Sequence, residues 1–311
     1  MADTKPQRRV FFRIWDSDVA ASFRRSPVAI VSGVVALVIV LAALLAPWIA
    51  PTNPYDPSSL NLMDGFTPPM EPNAFTGNTY LMGTDNQGRD VFSTILYGAR
   101  ISLFVGVSAV LLAMALGISA GLVAGYRGGW VDAVLMRVAD VQLSFPSILI
   151  ALLIFGVARG IIPPTQREAM AIWVLIVAIG LSDWVQFARV VRGATMVEKG
   201  KEYVQAARVI GVSPLRILIR HILPNVMGPV LVIATISVAL AIIAEATLSF
   251  LGVGVPPTQP SLGTLIRIGQ QFLFSGEWWI LLFPALTLLA LALSVNMLGD
   301  WLRDALNPRL R

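Results

Sequence analysis

Long apolar runs alternate with shorter polar segments along most of this chain. A helix needs about 20 mainly apolar residues to cross a bilayer, and six runs reach or approach that length. They lie at residues 28–50, 101–124, 141–158, 169–182 (with an extension through Asp183 to residue 188), 226–252 and 278–299. The pattern predicts an all-α membrane protein with six transmembrane helices.

Ser26 and Pro27 come directly before the first run. Ser is a typical helix N-cap residue, and Pro is typical of the first helical position. A cleaved signal peptide would have an apolar region of about 7–15 residues, shorter than this run. We therefore expect residues 1–27 to form an N-terminal segment and residues 28–50 an anchor helix.

The remaining runs define a predicted five-helix core at residues 101–300. Gly117, Gly121 and Gly125 recur every four residues in the second run, a spacing that lets another helix approach closely. Pro146 predicts a kink in the third run. Residues 51–100 are rich in Pro, Asn, Asp and Gly and predict an external loop, which we expect to end in a short interfacial helix before the second span.

Composition and charge fit a membrane protein and fix its orientation. The chain is 56% hydrophobic and 13% charged, whereas soluble domains average about 25% charged residues. Its 23 Lys and Arg residues divide 18 to 5 between alternate sides of the six runs. The positive-inside rule then places both termini, including a tail at 301–311, and the segment between the fourth and fifth runs in the cytoplasm. The net charge of +5 therefore indicates membrane topology rather than nucleic-acid binding.

Residue counts exclude cysteine-based sites and make a histidine-based zinc site implausible. There is no cysteine and only one histidine, so disulfides, thiolate sites and histidine-based zinc sites are not expected.

The most unusual segment is EYVQAARVIGVSPLRILIRHILPN, at residues 202–225. Its ten Val, Ile and Leu residues up to Pro224 would favour membrane insertion by about 5 kcal/mol, but its three arginines would oppose it by about 9 kcal/mol. We therefore expect this segment to stay outside the bilayer, within a cytoplasmic loop at 193–225.

The segment reads as two short helices. Gly211 can end the first helix in a left-handed conformation, Ser213 and Pro214 can start the second, and Pro224 should break it before the fifth span. The predicted apolar stripes are Tyr203, Ala206, Ala207 and Ile210, then Leu215, Leu218, Ile219 and Ile222, with Arg216 and Arg220 on another face. Two interpretations remain open from these patterns: docking to another protein, or an amphipathic helix lying on lipid.

The spacing of this segment resembles the "EAA" loop of ABC-importer permeases, through Gln205-Ala206-Ala207, Gly211 and Leu223-Pro224. Gln205 stands where that family usually has Glu, and His221 replaces an aliphatic residue. Three further stretches, GTDNQGRDVFSTILYGARISLFVG, EATLSFLGVGV with a nearby PSLG, and NMLGDWLRDALNPRLR, resemble the dipeptide/oligopeptide branch and its "C" permease subunit.

The resemblance implies a type I importer fold and a bacterial inner-membrane location. The implied partners are a homologous second permease, two ATPases that bind ATP and Mg, a binding protein on the outside, and membrane lipid. The ATPase-coupling residues that it implies are Gln205, Ala206, Ala207, Gly211, Ser213, Pro214, Arg216, Leu223 and Pro224. The chain has no G-x-x-x-x-G-K-[ST] motif, so we expect it to be a transport subunit without its own ATP site or cofactor and not an enzyme.

Charged residues and a proline in or near the spans are further candidates. Glu245, Asp183 and Pro146 are expected near the pore or the permease interface, with Asp183 paired to an arginine such as Arg189. Asp85, Arg89 and Asp90 are expected to shape the external loop or to contact the binding protein.

Several alternatives stay open at this point. The same family also transports nickel chelates, glutathione and opines. An ion-driven secondary transporter would be expected to show inverted repeats, and an intramembrane hydrolase would need a second catalytic group beside Glu245.

Overall fold

The computed structural model describes residues 18–56, 58 and 60–306. The N-terminal segment predicted at 1–27 and the tail predicted at 301–311 lie partly outside the described residues. Within the described part the chain is helical with connecting loops, and its only β-pairings are two isolated bridges. An all-α membrane fold is therefore confirmed.

Twelve α-helices succeed one another in the described residues. They are α1 (Asp18–Arg25), α2 (Pro27–Leu44), α3 (Ala46–Ile49), α4 (Val91–Arg127), α5 (Gly129–Leu143), α6 (Ser147–Ile161), α7 (Arg167–Lys199), α8 (Glu202–Val209), α9 (Pro214–Ile217), α10 (Leu223–Phe250), α11 (Leu262–Gln270) and α12 (Trp279–Leu306). A π-helical turn at Leu218–Ile222 joins α9 to α10.

The anchor helix α2 begins as the sequence predicts. The Ser26 hydroxyl accepts a hydrogen bond from the backbone N–H of Ala29 at 3.2 Å, and Pro27 occupies the first turn. The helix packs against α12 and α4, so it is part of the bundle.

The second span differs from prediction because it has no separate interfacial helix. α4 is one continuous helix of 37 residues that begins behind Asp90. Gly98 lies inside this helix and gives room for α11: a Cβ there would lie 3.3 Å from the Leu262 nitrogen. The prediction of a short surface helix was therefore wrong.

The third apolar run is not a kinked helix but two helices, α5 and α6, bent by 95° at their junction. Pro146 is the N-cap of α6, and residues 144–146 are outside both helices. α5 pairs with the C-terminal half of α7 through Asp132 and Arg192, whereas the end of α6 and the start of α7 line one cavity. The bent pair thus extends along α7, and counted as one span it brings the five long apolar helices of the described part to six.

Two hydrophobic clusters hold the bundle together. The larger one joins α4, α6, α7 and α10 with the segment around Val204 and Ile217. The second joins α2, α4, α11 and α12 around Trp279 and Leu262. α4 contributes to both clusters and is therefore the central element.

The most extensive helix contact in the bundle is between α4 and α7, and it follows the predicted glycine stripe. A Cβ at Gly117 would lie 2.4 Å from the Phe187 Cβ, and one at Gly121 would lie 2.5 Å from the Ala188 oxygen. Gly125 is equally tight against Arg192 and Thr195. These glycines therefore place the two helix backbones in direct contact.

The substitution Gly121→Ala should lower the thermal unfolding midpoint of the purified protein. The added methyl group meets backbone, and such overpacking costs about 1–3 kcal/mol. Gly193→Ala is the matched control on α7, because a Cβ there meets nothing within 4 Å. Without a clash, Ala in a helix interior is favoured over Gly by up to about 1 kcal/mol. Equal midpoints for the two variants would contradict the close α4–α7 contact.

Candidate functional site

The segment at residues 202–225 forms a compact loop at the end of α7. α8 ends in a Schellman motif: Gly211 N–H donates to the Arg208 oxygen and Val212 N–H donates to the Ala207 oxygen, both at 3.0 Å. Gly211 has a φ of +79°, as predicted for a left-handed C-terminal residue. Pro214 starts α9, and Ser213 is its N-cap by position but makes no side-chain cap bond.

The buried face of α8 differs from the predicted stripe. Val204 and Ala207 are buried against the core, whereas Tyr203 and Ile210 are exposed. In the second helix Ile217 and Ile222 point inward, while Leu215 and Ile219 are exposed. The loop has two apolar faces, and periodicity alone could not tell which of them packs on its own subunit.

The outward face forms a surface that we call the apolar tip, consisting of Val209, Ile210, Leu215 and Ile219. These side chains are 88%, 78%, 66% and 55% exposed. Arg208, Arg216 and Arg220 lie beside them in the sequence. A surface that faces lipid would not carry so many charged neighbours, so the tip differs in composition from a membrane-facing surface. A rigid loop with exposed aliphatic side chains between cationic ones is typical of a protein-docking surface.

A polar network fixes the loop to the helices on both sides. The Tyr203 hydroxyl donates to the Glu198 carboxylate at the end of α7 and accepts from Asn225 Nδ2 at 3.0 Å at the start of α10. Lys201 pairs with Glu198 at 2.5 Å, and Asn225 Nδ2 also donates to the His221 oxygen at 2.6 Å. Burial and the hydrogen bond to Glu198 raise the pKa of Tyr203. Sequence analysis did not single out Glu198 or Asn225 as anchors of this loop.

Further contacts attach the loop to α4. Lys199 Nζ donates to the Tyr126 oxygen at 2.5 Å, and the Arg208 guanidinium lies 4.9 Å from the centre of the Tyr126 ring. Gln205 Nε2 donates to the Gly200 oxygen at 3.0 Å. A glutamate could not donate this bond, so the residue that departs from the usual motif has a local role in closing the turn.

Pro224 does not break the run, contrary to prediction. α9, the π-helical turn and α10 are continuous from Pro214 to Phe250. Leu223 N–H donates to the Leu218 oxygen five residues earlier, so the widened turn accommodates a proline that cannot donate to Arg220. The loop at residues 202–225 is therefore joined to the fifth span without a hinge.

Glu245 is fully buried inside this subunit, with no exposed surface. Its two carboxyl oxygens accept from the hydroxyls of Ser102 on α4 and Ser249 on α10, each at 2.7 Å. These hydroxyls in turn accept from the N–H groups of Leu262 and Val255. The carboxyl group thus joins two spans to the start of α11 and to the loop before it, and its full burial leaves it no exposed surface.

Asp183 is half-buried near the middle of α7 and has no hydrogen bond or ion pair among the described residues. The predicted partner Arg189 pairs instead with Asp140 on α5, at 2.5 Å. Residues six apart on a helix point about 120° away from each other, so Arg189 cannot reach Asp183. Pro146 is exposed at the bend between α5 and α6.

The external triad is buried. Asp85, Arg89 and Asp90 are only 3–4% exposed. Arg89 Nε donates to Asp85 Oδ2 at 2.6 Å, its Nη1 reaches the Pro257 oxygen at 3.4 Å, and Asp90 caps α4 through Ser93 N–H at 2.9 Å. These side chains shape the loop, and their burial leaves no surface on them for contact with a docked protein.

Comparison with known proteins decides the family. The family model described as "Binding-protein-dependent transport system inner membrane component" matches residues 117–311. A second, "N-terminal TM domain of oligopeptide transport permease C", matches residues 14–69. The chain belongs to the ABC-importer permeases, as a C-type subunit. It is therefore a multi-pass protein of the inner membrane.

Curated relatives align along nearly the whole permease. A putative peptide transport system permease of Brucella suis is 41% identical over 89% of this chain and 86% of its own length. A dipeptide transport system permease of Haemophilus influenzae is 37% identical, with 93% of each chain covered. An oligopeptide transport system permease of Bacillus subtilis is also 37% identical, with 96% and 90% covered.

Among solved structures, the permease resembles the MetNI methionine ABC transporter in an inward-facing conformation. The TM-score is 0.52 at 18% identity, and the match covers 69% of this chain and 96% of the other. At that identity the likeness supports the fold alone. It confirms the expected type I importer fold.

Tyr203→Phe should loosen the loop at residues 202–225 without unfolding the permease. The change removes one donor to a charged carboxylate and one acceptor, which is worth about 1.5–3 kcal/mol locally. We expect hydrogen–deuterium exchange to rise at residues 202–212 while the spans remain protected. Ser213→Ala is the matched control, because that hydroxyl makes no cap bond and its loss should leave exchange unchanged. Unchanged exchange in Tyr203→Phe would show that the network does not hold the loop.

Proposed function

We propose that this permease forms half of the pore of an ATP-driven importer of peptides. The peptide substrate is supported by the names of the relatives, which are peptide, dipeptide and oligopeptide permeases. A homologous second permease would complete the pore. A binding protein would deliver the peptide from outside.

The apolar tip is the observation on which the coupling mechanism depends. We place it in a cleft of a cytoplasmic ATPase subunit, with Gln205, Ala206, Ala207, Gly211, Ser213, Pro214, Arg216, Leu223 and Pro224 forming or supporting the docking loop. ATP and Mg would be bound by two such ATPases and not by this chain. Because the loop continues into α10 and is bonded to α7, movement of the ATPases would move both spans together.

Asp183 and Pro146 are proposed to lie on the translocation pathway. A carboxyl group near the middle of a span is costly unless it is paired or faces water, and Asp183 has no partner in its own subunit's described residues. A water-filled pore between two permeases would solvate it. Pro146, at the exposed bend between α5 and α6, would face the same water-filled pore.

In this cycle, ATP binding would close the two ATPases and draw the docking loops together. The pore would then open outward to accept a peptide from the binding protein. Hydrolysis would reset the inward-facing state. Transport energy thus enters through the docking loop.

The variant Ile210→Asp should insert in the membrane normally but lose its ATPases. A buried, unpaired carboxylate in an apolar cleft is strongly unfavourable, so we expect at least about a tenfold loss of ATPase co-purification and of ATP-driven dipeptide uptake. Leu62→Asp is the control, since Leu62 is 76% exposed on the predicted outer side. It should retain its ATPases. Normal co-purification and uptake with Ile210→Asp would contradict the docking role.

A further inference from the structure

A cavity of about 270 Å³ lies at the end of the bundle opposite the docking loop. It is open to the outside and is lined by the end of α6, the start of α7, the loop after α10 and helix α11. Its charged lining consists of Arg159, Arg167, Arg267 and Glu168, and its apolar wall includes Phe155 and Val255. The space is large enough for the end of a small ligand but not for a protein domain.

The concentration of arginine here is unusual for the outer side. Only five of the 23 basic residues fall in the segments assigned to the outside, and three of those five line this cavity. Arg89, one of the other two, is neutralised by Asp85. Three arginines in one cavity therefore run against the low Lys and Arg content of the outer segments.

These guanidinium groups are not neutralised by the protein. Among the described residues Arg159 and Arg267 have no ion pair, and the sole hydrogen bond of the Arg167 side chain goes from Nε to the Ile162 oxygen at 3.2 Å. Glu168 lines the same cavity but is not within ion-pair distance of any of them. The cavity therefore has an excess of positive charge.

Arg267 gives the most specific indication of a ligand. Its Nε is buried and has no hydrogen-bond partner among the described residues. Gly252, with a φ of +79°, leaves room beside it: a Cβ there would lie 3.4 Å from Arg267 Nη1. A buried guanidinium N–H without an acceptor is costly, and a carboxylate is the acceptor whose shape fits the arginine fork.

We propose that this cavity is a carboxylate-binding subsite at the outer mouth, which takes the C-terminal carboxylate of the incoming peptide. The inference rests on the proposed peptide substrate. It adds a recognition step in the permease itself, after release from the binding protein. The two oxygens of the carboxylate would accept from Arg267, with Arg159 and Arg167 adding charge.

The test uses the complete importer in lipid nanodiscs without the binding protein, titrated with Ala-Ala and with its C-terminal amide by saturation-transfer NMR. The wild type should bind the acid at least about tenfold more tightly than the amide, since charge-assisted bonds to a carboxylate are lost in the amide. Arg267→Gln should abolish that preference. Arg159→Gln, on an exposed side chain of a different element, should weaken it and serves if Arg267→Gln fails to fold.

Glu168→Gln is the matched control in the same cavity. It removes a negative charge, so it should preserve or strengthen binding of the acid. Equal binding of acid and amide by the wild type, or a preference that survives in both arginine variants, would overturn the proposal.

The carboxylate could also come from an acidic side chain of the docked binding protein. Docking of the peptide-free binding protein is measured in parallel: weaker docking with unchanged dipeptide preference in the arginine variants would overturn the peptide subsite. ATP-driven uptake by the wild type tests the proposed function separately. Uptake without an acid preference would reject only the subsite, and an acid preference without uptake would reject only the peptide-import function.

Discussion

The direct backbone contact between α4 and α7 is the constraint on which the other features depend. Gly117, Gly121 and Gly125 allow it, because any side chain at these positions would enter the neighbouring helix. The two helices form a rigid pair to which α5, α6 and α10 attach. One end of α7 is bonded to the docking loop through Glu198, and the other end lines the arginine cavity. The pair therefore links the two faces of the membrane.

Movement can pass from the docking loop to the spans only if the connections between them do not bend. The π-helical turn keeps Pro224 inside a continuous helix, so displacement of the apolar tip is passed to α10 as a whole. Near the other end of α10, Glu245 accepts hydrogen bonds from the hydroxyls of Ser102 and Ser249. The Ser102 hydroxyl in turn accepts a hydrogen bond from the backbone N–H of Leu262 at the start of α11. Buried polar networks of this kind specify one arrangement because breaking any member leaves an unsatisfied group. The outer loops are thereby tied to the same helix that the ATPase would move.

Features set by local chemistry could be predicted from the sequence: the apolar spans, the glycine stripe, the Ser26 cap and the left-handed Gly211. Features that depend on distant partners could not. Ser102 is 143 residues from Glu245, and only Ser249, one helical turn away, offered a local signal for that network. The buried face of α8 was misassigned because its outward face is apolar too. The continuity of the helix through Pro224 was not predicted because a π-turn has no simple sequence signature. The predicted pair of Arg189 and Asp183 was wrong because residues six apart on a helix point in different directions.

The most direct test of the account is a cysteine cross-link at the apolar tip, because the chain has no native cysteine to interfere. Ile210→Cys should cross-link to a co-expressed ATPase and remain inaccessible to a membrane-impermeant thiol reagent added from outside. Phe274→Cys, at a side chain that is 98% exposed on the predicted outer side, should show the reverse. External labelling of residue 210, with no cross-link to the ATPase, would contradict both the topology and the docking role.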